Sequence, residues 1–516
     1  MTSPYDFIER NEKTIRNVVF ILFLIAGITV ITDYGLGWDD ECSRVDTGHV
    51  NVNFILHHAK DALLQGNEKY HGPFMEIVLV FIEKAFRLHD LHSIYLMRHL
   101  VLFAVFFLAM MLFYQLARKI FSAPHAFLAL LLLMLTPRIF AESFYNSKDL
   151  LLLSFFVFAV SSYLQFFEKK TLVSAIIHGI CTGMLIAIRI VGILVPVLTV
   201  AYAIVFMFLH KDGKRYATLL LVYLSFSVGV TIACWPVLWL GPAYHFIQAF
   251  AEMKKYHWDA TVLYFGKQIK GTELPWHYLP IWMCITTPLL VAWGWLMGMF
   301  AYIVSIFRNS WIRFLENYFW NSIVFLCLAP ILSIIILHSV VYDGWRHIYF
   351  VYPLIVLITV YGIRSLIMML SYRVQVGIAI LCCVQIISLV VWIFVNHPYE
   401  QVYFNPLARK LMPPIEQQFE LDYWGLSYKQ ELEYLARTNH QDTISIAFQN
   451  PPGELNVLAL PANLRRRFAV RNEHDSTAQY FMTNYRWTGP PGNRSLLHQI
   501  QVDGIPILGL YGQATP

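Results

Sequence analysis

Charge is scarce in this sequence. Asp, Glu, Lys and Arg make up 14% of the chain, where soluble domains carry about 25%. Hydrophobic residues reach 57% and the mean hydropathy is +0.53. Water could not accommodate that much apolar surface, so a soluble globule is excluded and a bilayer is the implied solvent. Cysteine is also sparse where it would matter. The seven cysteines end at Cys383, and most fall in apolar runs, where a thiol behaves as a small hydrophobe. A disulfide framework for the polar C-terminal region is therefore excluded. There is no C-x-x-C, His-x-x-x-His or His-Glu-x-x-His spacing, so the histidines at 49, 57, 58, 71, 89 and 92 give a zinc site little support. No internal repeat or low-complexity stretch is visible. The net charge of +5 is too small to argue for nucleic acid. The first apolar run, 18–32, has no small-residue cleavage site and reads as an uncleaved anchor.

What is present is a series of apolar runs of membrane-crossing length. Crossing about 30 Å of hydrocarbon takes roughly 20 helical residues. Runs centre on 18–31, 95–114, 127–135, 150–167, 216–240, 280–307, 319–338, 348–363 and 374–395. The stretch 172–209 would be about 57 Å long as one helix, too long for one crossing. Arg189, Gly192 and Pro196 interrupt it, so two short spans meeting at Arg189 are expected. The fold class is then an α-helical polytopic membrane protein of about eleven transmembrane helices. Basic residues favour the cytoplasmic side. They recur at every second loop: Arg10, Lys13 and Arg16; Arg118 and Lys119; Lys169 and Lys170; Lys211, Lys214 and Arg215; Arg308 and Arg313; Arg364 and Arg373. That places the N-terminus in the cytoplasm and four segments outside it.

Residues 1–396 form the expected membrane domain, with outer loops 37–91, 136–149, 241–277 and 341–347. Residues 397–516 form an expected small extracytoplasmic α/β domain. Strands are predicted at 443–448, 467–470, 480–487 and 507–511, with a short helix at 453–460. Within the first outer loop, 74–87 sets Glu76, Glu83 and Arg87 on one stripe of an otherwise apolar helix, the pattern of a helix lying on a membrane surface.

The polar residues of the outer loops are the candidates for chemistry. Trp38-Asp39-Asp40-Glu41 puts three carboxylates at a membrane exit, where contact with lipid is costly. They suit a general base or a cation ligand, and equally a solvated loop start. Thr136-Pro137-Arg138 through Asn146-Ser147-Lys148-Asp149 concentrates Arg138, Glu142, Lys148 and Asp149 between two spans. Arg and Lys suit a phosphate, though an Arg–Asp pair could simply neutralise itself. In Tyr342-Asp343-Gly344-Trp345-Arg346-His347 a cation stands beside aromatics, fit for a lipid phosphate, a sugar face or an interfacial belt. Arg189 is a further phosphate contact or a structural partner for a carboxylate. His71-Gly72-Pro73 reads as a turn that faces the site. Glu420-x-Asp422-Tyr423-Trp424-Gly425 is distinctive and without a mechanism.

At these residues the chain resembles the GT-C glycosyltransferases. More narrowly, it is similar to bacterial relatives of the protein O-mannosyltransferases and the lipid A aminoarabinose transferase. Asp40-Glu41 resembles the acidic motif of their first outer loop, and Pro137-Arg138 with Asn146-x-Lys148-Asp149 their second. Pro275-Trp276-x-Tyr278, the segment 342–347, Asn396-His397-Pro398-Tyr399, Tyr403-Phe404-Asn405-Pro406 and Asp422–Gly425 resemble a bacterial subgroup. Cys42 stands where many relatives have proline. The resemblance implies inverting transfer of one sugar from a polyprenyl phosphate to a protein, lipid or glycan acceptor on the extracytoplasmic side of a bacterial inner membrane. It implies Asp40 as base with Glu41 beside it, and Arg138, Lys148, Arg189 and Arg346 on the donor phosphate. Asp39, Glu142, Asp149, His71, Asp343 and His347 would support them. A divalent cation at Asp40 or Asp149 is a candidate cofactor. A transporter of a lipid-linked or small polar substrate is the alternative, although charges gather at span ends rather than at the midplane.

Overall fold

The structure is a computed structural model that describes all residues except 1–3, 67, 210–211, 255–257, 309, 476, 488, 490 and 514–516; Lys211 therefore lies outside the described residues. Among the described residues, nine helices are long and apolar enough to cross a membrane: Glu12–Val30, Leu91–Ile120, Asp149–Lys169, Ile190–Leu209, Gly213–Cys234, Leu289–Arg308, Tyr318–Leu337, Arg346–Ile367 and Tyr372–Asn396. The pair Ala123–Met134 and Pro137–Tyr145, bent by 61°, makes a tenth if taken as one span. The eleventh expected crossing is Leu172–Ile186, 15 residues long, too short for the hydrocarbon core unaided. The break after it falls where Arg189 was expected to interrupt the run: Arg189 is extended (φ −150°, ψ 135°) and a 3-10 turn follows at Ile190–Ile193.

Asp149–Lys169 is the central span, with 89% of its apolar window buried, whereas Glu12–Val30 and Tyr372–Asn396 bury 17% each and form the periphery. Small residues permit the closest crossing. A Cβ on Gly298 would lie 2.0 Å from Ile358 O, and one on Gly362 2.3 Å from Gly298 N, so only glycine lets Leu289–Arg308 and Arg346–Ile367 approach backbone to backbone.

Two outer segments differ from their expected form. Segment 136–149, expected as a polar loop, contains the helix Pro137–Tyr145, every residue of which is buried. Pro137 at its first turn starts the helix, since a missing N–H costs nothing there. The helix Phe74–Ala85 forms, but its carboxylate stripe does not face water. Glu76 and Glu83 are buried against Arg98, and Glu83 also holds Arg44 at 3.2 Å. Ion pairing overrides the surface pattern, and Phe81 and Phe86 are exposed instead.

The polar C-terminal part holds a five-stranded mixed sheet in the order Phe468–Arg471, Ile444–Phe448, Tyr480–Thr483, Ile505–Gln513, Arg494–Val502. The first three are mutually parallel and the rest antiparallel. Helices Tyr428–Thr438 and Pro451–Ala459 accompany it. Arg494–Val502 was not expected; it is an edge strand whose first residues are mostly exposed, so it lacks the apolar alternation of a half-buried strand. The preceding segment returns to the membrane half, where Phe404, Phe419, Tyr423 and Trp424 join the main core. A second, small hairpin pairs Thr261–Tyr264 with Lys267–Lys270, turned by Phe265 and Gly266, both at positive φ.

Candidate active site

The site is assembled from span ends. Asn146 prepares one of them: its Oδ1 accepts from the N–H groups of Lys148 (3.1 Å) and Asp149 (2.7 Å), capping the start of Asp149–Lys169. This fixes Asp149 in the first helical turn. Asp149 then lies between two cations, Arg189 Nη1 at 2.9 Å and Arg346 Nη1 at 3.1 Å. Arg346 is the hub. It also pairs with Asp39 (2.8 Å) and Asp343 (3.1 Å), and its guanidinium lies 4.6 Å from the ring of Trp424. Asp343 sits at φ 54° ahead of Gly344 at φ 72°, a tight reversal that turns its carboxylate toward Arg346 and, at 2.6 Å, toward Arg486.

Lys148 adjoins this cluster. It stands 3.6 Å from Glu68, which holds His71 Nδ1 at 3.0 Å, and Lys148, Arg189 and His71 share the wall of a small void. Burial, helped by the nearby cations, lowers His71 to about 4, so it is neutral at pH 7. Gly72 allows this loop to reach the break in the span pair: a Cβ there would meet Ala187 O at 2.4 Å. Arg189, His71, Tyr342 and His347 also form the polar end of a groove of about 270 Å³. Its body is apolar, running past Leu194, Pro330, Ile334, Leu337 and Phe350.

The two neighbouring aspartates have opposite environments. Burial works against ionisation of Asp39, but Arg346 and Lys148 outweigh it and hold its carboxyl well below the usual range. Asp40 is pushed up to about 7, chiefly by burial. Its Oδ2 accepts from Gly37 N–H at 2.7 Å. Glu41 turns away, to Arg44 at 3.2 Å and Tyr95 OH at 2.7 Å.

Arg138 and Glu142 lie outside the ion pairs of the cluster. Arg138 does not join the cluster: Nε donates to Tyr403 O (3.0 Å), Nη1 to Tyr423 OH (3.4 Å), and its guanidinium is boxed by the rings of Trp282, Phe404 and Tyr423. Aromatics from the C-terminal part seal it off. Glu142 stands behind the site, accepting from Asn146 (2.7 Å), Tyr423 (3.2 Å) and Trp424 (3.3 Å). Asp149 faces an arginine with each oxygen, and Oδ1, beside Arg189, makes no hydrogen bond among the described residues. Among the described residues no group of three or more His, Cys, Asp or Glu side chains is arranged to hold a metal ion.

Other functional residues escaped sequence reasoning. Arg486 reaches in from the C-terminal sheet between the rings of Trp38 (5.6 Å) and Trp487 (4.6 Å). Glu68 and Glu420 are the others. Nothing local sets Arg486 apart from other arginines, although the motif around Glu420 stood out. That motif now has a role: Asp422 caps the turn after it, accepting from the N–H groups of Gly425, Leu426 and Ser427. This presents Tyr423 and Trp424 to Glu142 and Arg346.

Residues 78–240 match the family described as dolichyl-phosphate-mannose-protein mannosyltransferase. No curated protein matches this sequence. Among solved structures, an oligosaccharyltransferase of Archaeoglobus fulgidus, tethered to an acceptor peptide, has TM-score 0.53 at 12% identity, over 89% of this chain and 64% of that one. The fold is GT-C. The oligosaccharyltransferase AglB of the same organism, in complex with an inhibitory peptide and a dolichol-phosphate, aligns with TM-score 0.50 at 10% identity over 91% of this chain and 70% of that one. ArnT of Cupriavidus metallidurans, bound to undecaprenyl phosphate, aligns with TM-score 0.48 at 14% identity over 95% and 97%. At such identities the GT-C likeness describes architecture; the chemistry has to come from the site.

Proposed function

We propose that this chain is an integral membrane glycosyltransferase that moves one sugar, with inversion, from a polyprenyl-phosphate donor to an acceptor on the extracytoplasmic side. One observation carries the reading: Arg189 stands at the polar end of an apolar groove between spans, with Lys148 beside it on a small void and Arg346 joined to it through Asp149. A polyprenyl-phosphate sugar has that same division, an anionic phosphodiester on a hydrocarbon tail, and its phosphate gains a second charge as the sugar leaves. The match of residues 78–240 to a mannosyltransferase family supports it.

The chemistry follows from the charges. The acceptor oxygen or nitrogen attacks the anomeric carbon from the face opposite the phosphate. The bond from that carbon to the phosphate oxygen breaks, and the electron pair leaves with the phosphate. Arginine and lysine at the groove mouth stabilise the charge gathering there, and the phosphate, already a weak base, needs no acid. One base must take the acceptor's proton. Asp40, held near 7, is basic enough to do so at neutral pH, whereas Asp39 is committed to Arg346. The basic ends of the spans, such as Lys169 opposite Asp149 on one helix, support a site on the non-cytoplasmic side by the positive-inside rule. A bacterial inner membrane is the setting we assign.

The test uses the full chain in liposomes with polyprenyl-phosphate sugars, scoring release of polyprenyl phosphate and sugar transferred. Donor-dependent release that falls in Arg189→Ala and Lys148→Ala is expected. Flux of a solute with no cleavage of any donor would overturn the reading in favour of a transporter.

A further inference from the structure

A large cavity lies away from the groove. It measures about 760 Å³ and opens between the Thr261–Lys270 hairpin, the segment around Glu420–Tyr423 and the C-terminal sheet. That volume falls within the range of about 300–1,000 Å³ typical of small-molecule sites. Its walls combine rings, Tyr423, Tyr485, Trp487 and Tyr511, with the amide side chains of Gln268 and Gln499. Glu420 lies in the wall and is buried. Among the described residues, neither of its carboxylate oxygens has a hydrogen-bond partner of good geometry. Arg486 Nε is 3.4 Å away, and the Leu263 N–H only leans toward it. A buried carboxylate short of donors is expensive to keep unless something else supplies them.

We infer that this cavity is the acceptor subsite and that its occupant is a carbohydrate, an inference that rests on the glycosyltransferase reading. Three features point there. Arg486 already neutralises Glu420, so the missing partner is a neutral hydroxyl rather than a cation. Rings beside amides match a saturated ring that has C–H faces and a hydroxyl rim. The cavity is also wired to the reacting centre: Glu420 contacts Arg486, Arg486 holds Asp343 at 2.6 Å, Asp343 holds Arg346 at 3.1 Å, and Arg346 holds Asp39 at 2.8 Å. A glycan seated on Glu420 is therefore coupled to the donor cluster through that chain of ion pairs. A peptide acceptor would instead call for a separate apolar pocket or an anionic patch for a basic side chain.

Binding is tested on the purified full chain by quenching of tryptophan fluorescence, with chitotetraose, maltotetraose and a glucosamine-containing disaccharide as probes and a Ser/Thr-rich peptide as comparison. Saturable binding of at least one saccharide is expected, weakened roughly tenfold or more by Glu420→Gln. Gln268→Ala, on the exposed rim of the hairpin, should weaken it by a smaller factor and covers the case in which the Glu420 variant does not fold. Saturation by the peptide alone, no saccharide saturating at millimolar concentration, or saccharide affinity unchanged in both variants would each overturn the inference. Donor cleavage to water, measured in parallel, separates the outcomes: if it persists while saccharides fail to bind, the carbohydrate assignment falls and the transferase reading stands. If donor cleavage is absent, the reading beneath it falls as well.

Discussion

Arg346 and Asp39 are 307 positions apart in the chain and 2.8 Å apart in the structure. Arg346 serves three carboxylates from three different elements, so its removal leaves each of them buried with one cation fewer. Arg346→Ala should destabilise the protein by about 3–5 kcal/mol and abolish transfer. Arg346→Lys keeps the charge but loses the fork that reaches several oxygens at once. It should fold, with donor KM raised and kcat lowered. Thermal unfolding and initial-rate kinetics on the two variants check this, and wild-type kinetics in Arg346→Lys would refute the hub role.

Asp40 and Asp39 should separate by kinetics. Asp40→Asn removes the base and is expected to lower kcat by about 100-fold or more while donor affinity holds. Asp39→Asn loosens Arg346 and should act mainly on donor KM. The transfer rate should rise with pH through about 7, because Asp40 must lose its proton to act, and the residual rate of Asp40→Asn should lack that limb. An identical pH profile in both would remove Asp40 from the role.

Arg138 gives a contrast. Its guanidinium ties the returning C-terminal segment to the buried Pro137–Tyr145 helix, so Arg138→Met should cost about 1–3 kcal/mol of stability and leave donor KM unchanged. A raised KM at unchanged Tm would restore it to the phosphate.

His397 fastens the end of the last span to the start of the first outer segment. Burial lowers its pKa, but bonds to Glu400 (2.7 Å) and Asp33 (3.0 Å) outweigh this and raise it. A raised folded pKa means the contribution is complete below the ordinary histidine value of about 6.5 and fades as pH climbs through the folded value. The Tm should therefore decline above pH about 6.5, and His397→Gln should flatten that part of the curve. Equal slopes in the two proteins would discount the contact.

The membrane plan was readable because one physical requirement, about 20 apolar residues per crossing, leaves long runs that few other folds need. The interruption at Arg189 was readable for the same reason, since no single helix of that length suits a bilayer. Arg189, Arg346, Lys148 and Asp149 could be singled out as charges at span ends. Their pairing could not, because Asp149 meets Arg346 across 197 positions and no local pattern encodes it. Arg138 and Lys148 look alike along the chain; what distinguishes them is a cage of rings contributed from residues 282 to 423. Arg486 was invisible because its neighbours in sequence say nothing about its neighbours in space.

That last contact has a consequence for how such proteins diversify. Arg486 belongs to the outer sheet region yet completes the ion network of the membrane half through Asp343. The two halves cannot be exchanged as independent modules: a chimera joining this membrane half to a foreign outer domain keeps Asp343 with Arg346 alone and loses its second cation. New specificity would have to arise by changing both sides of that seam together.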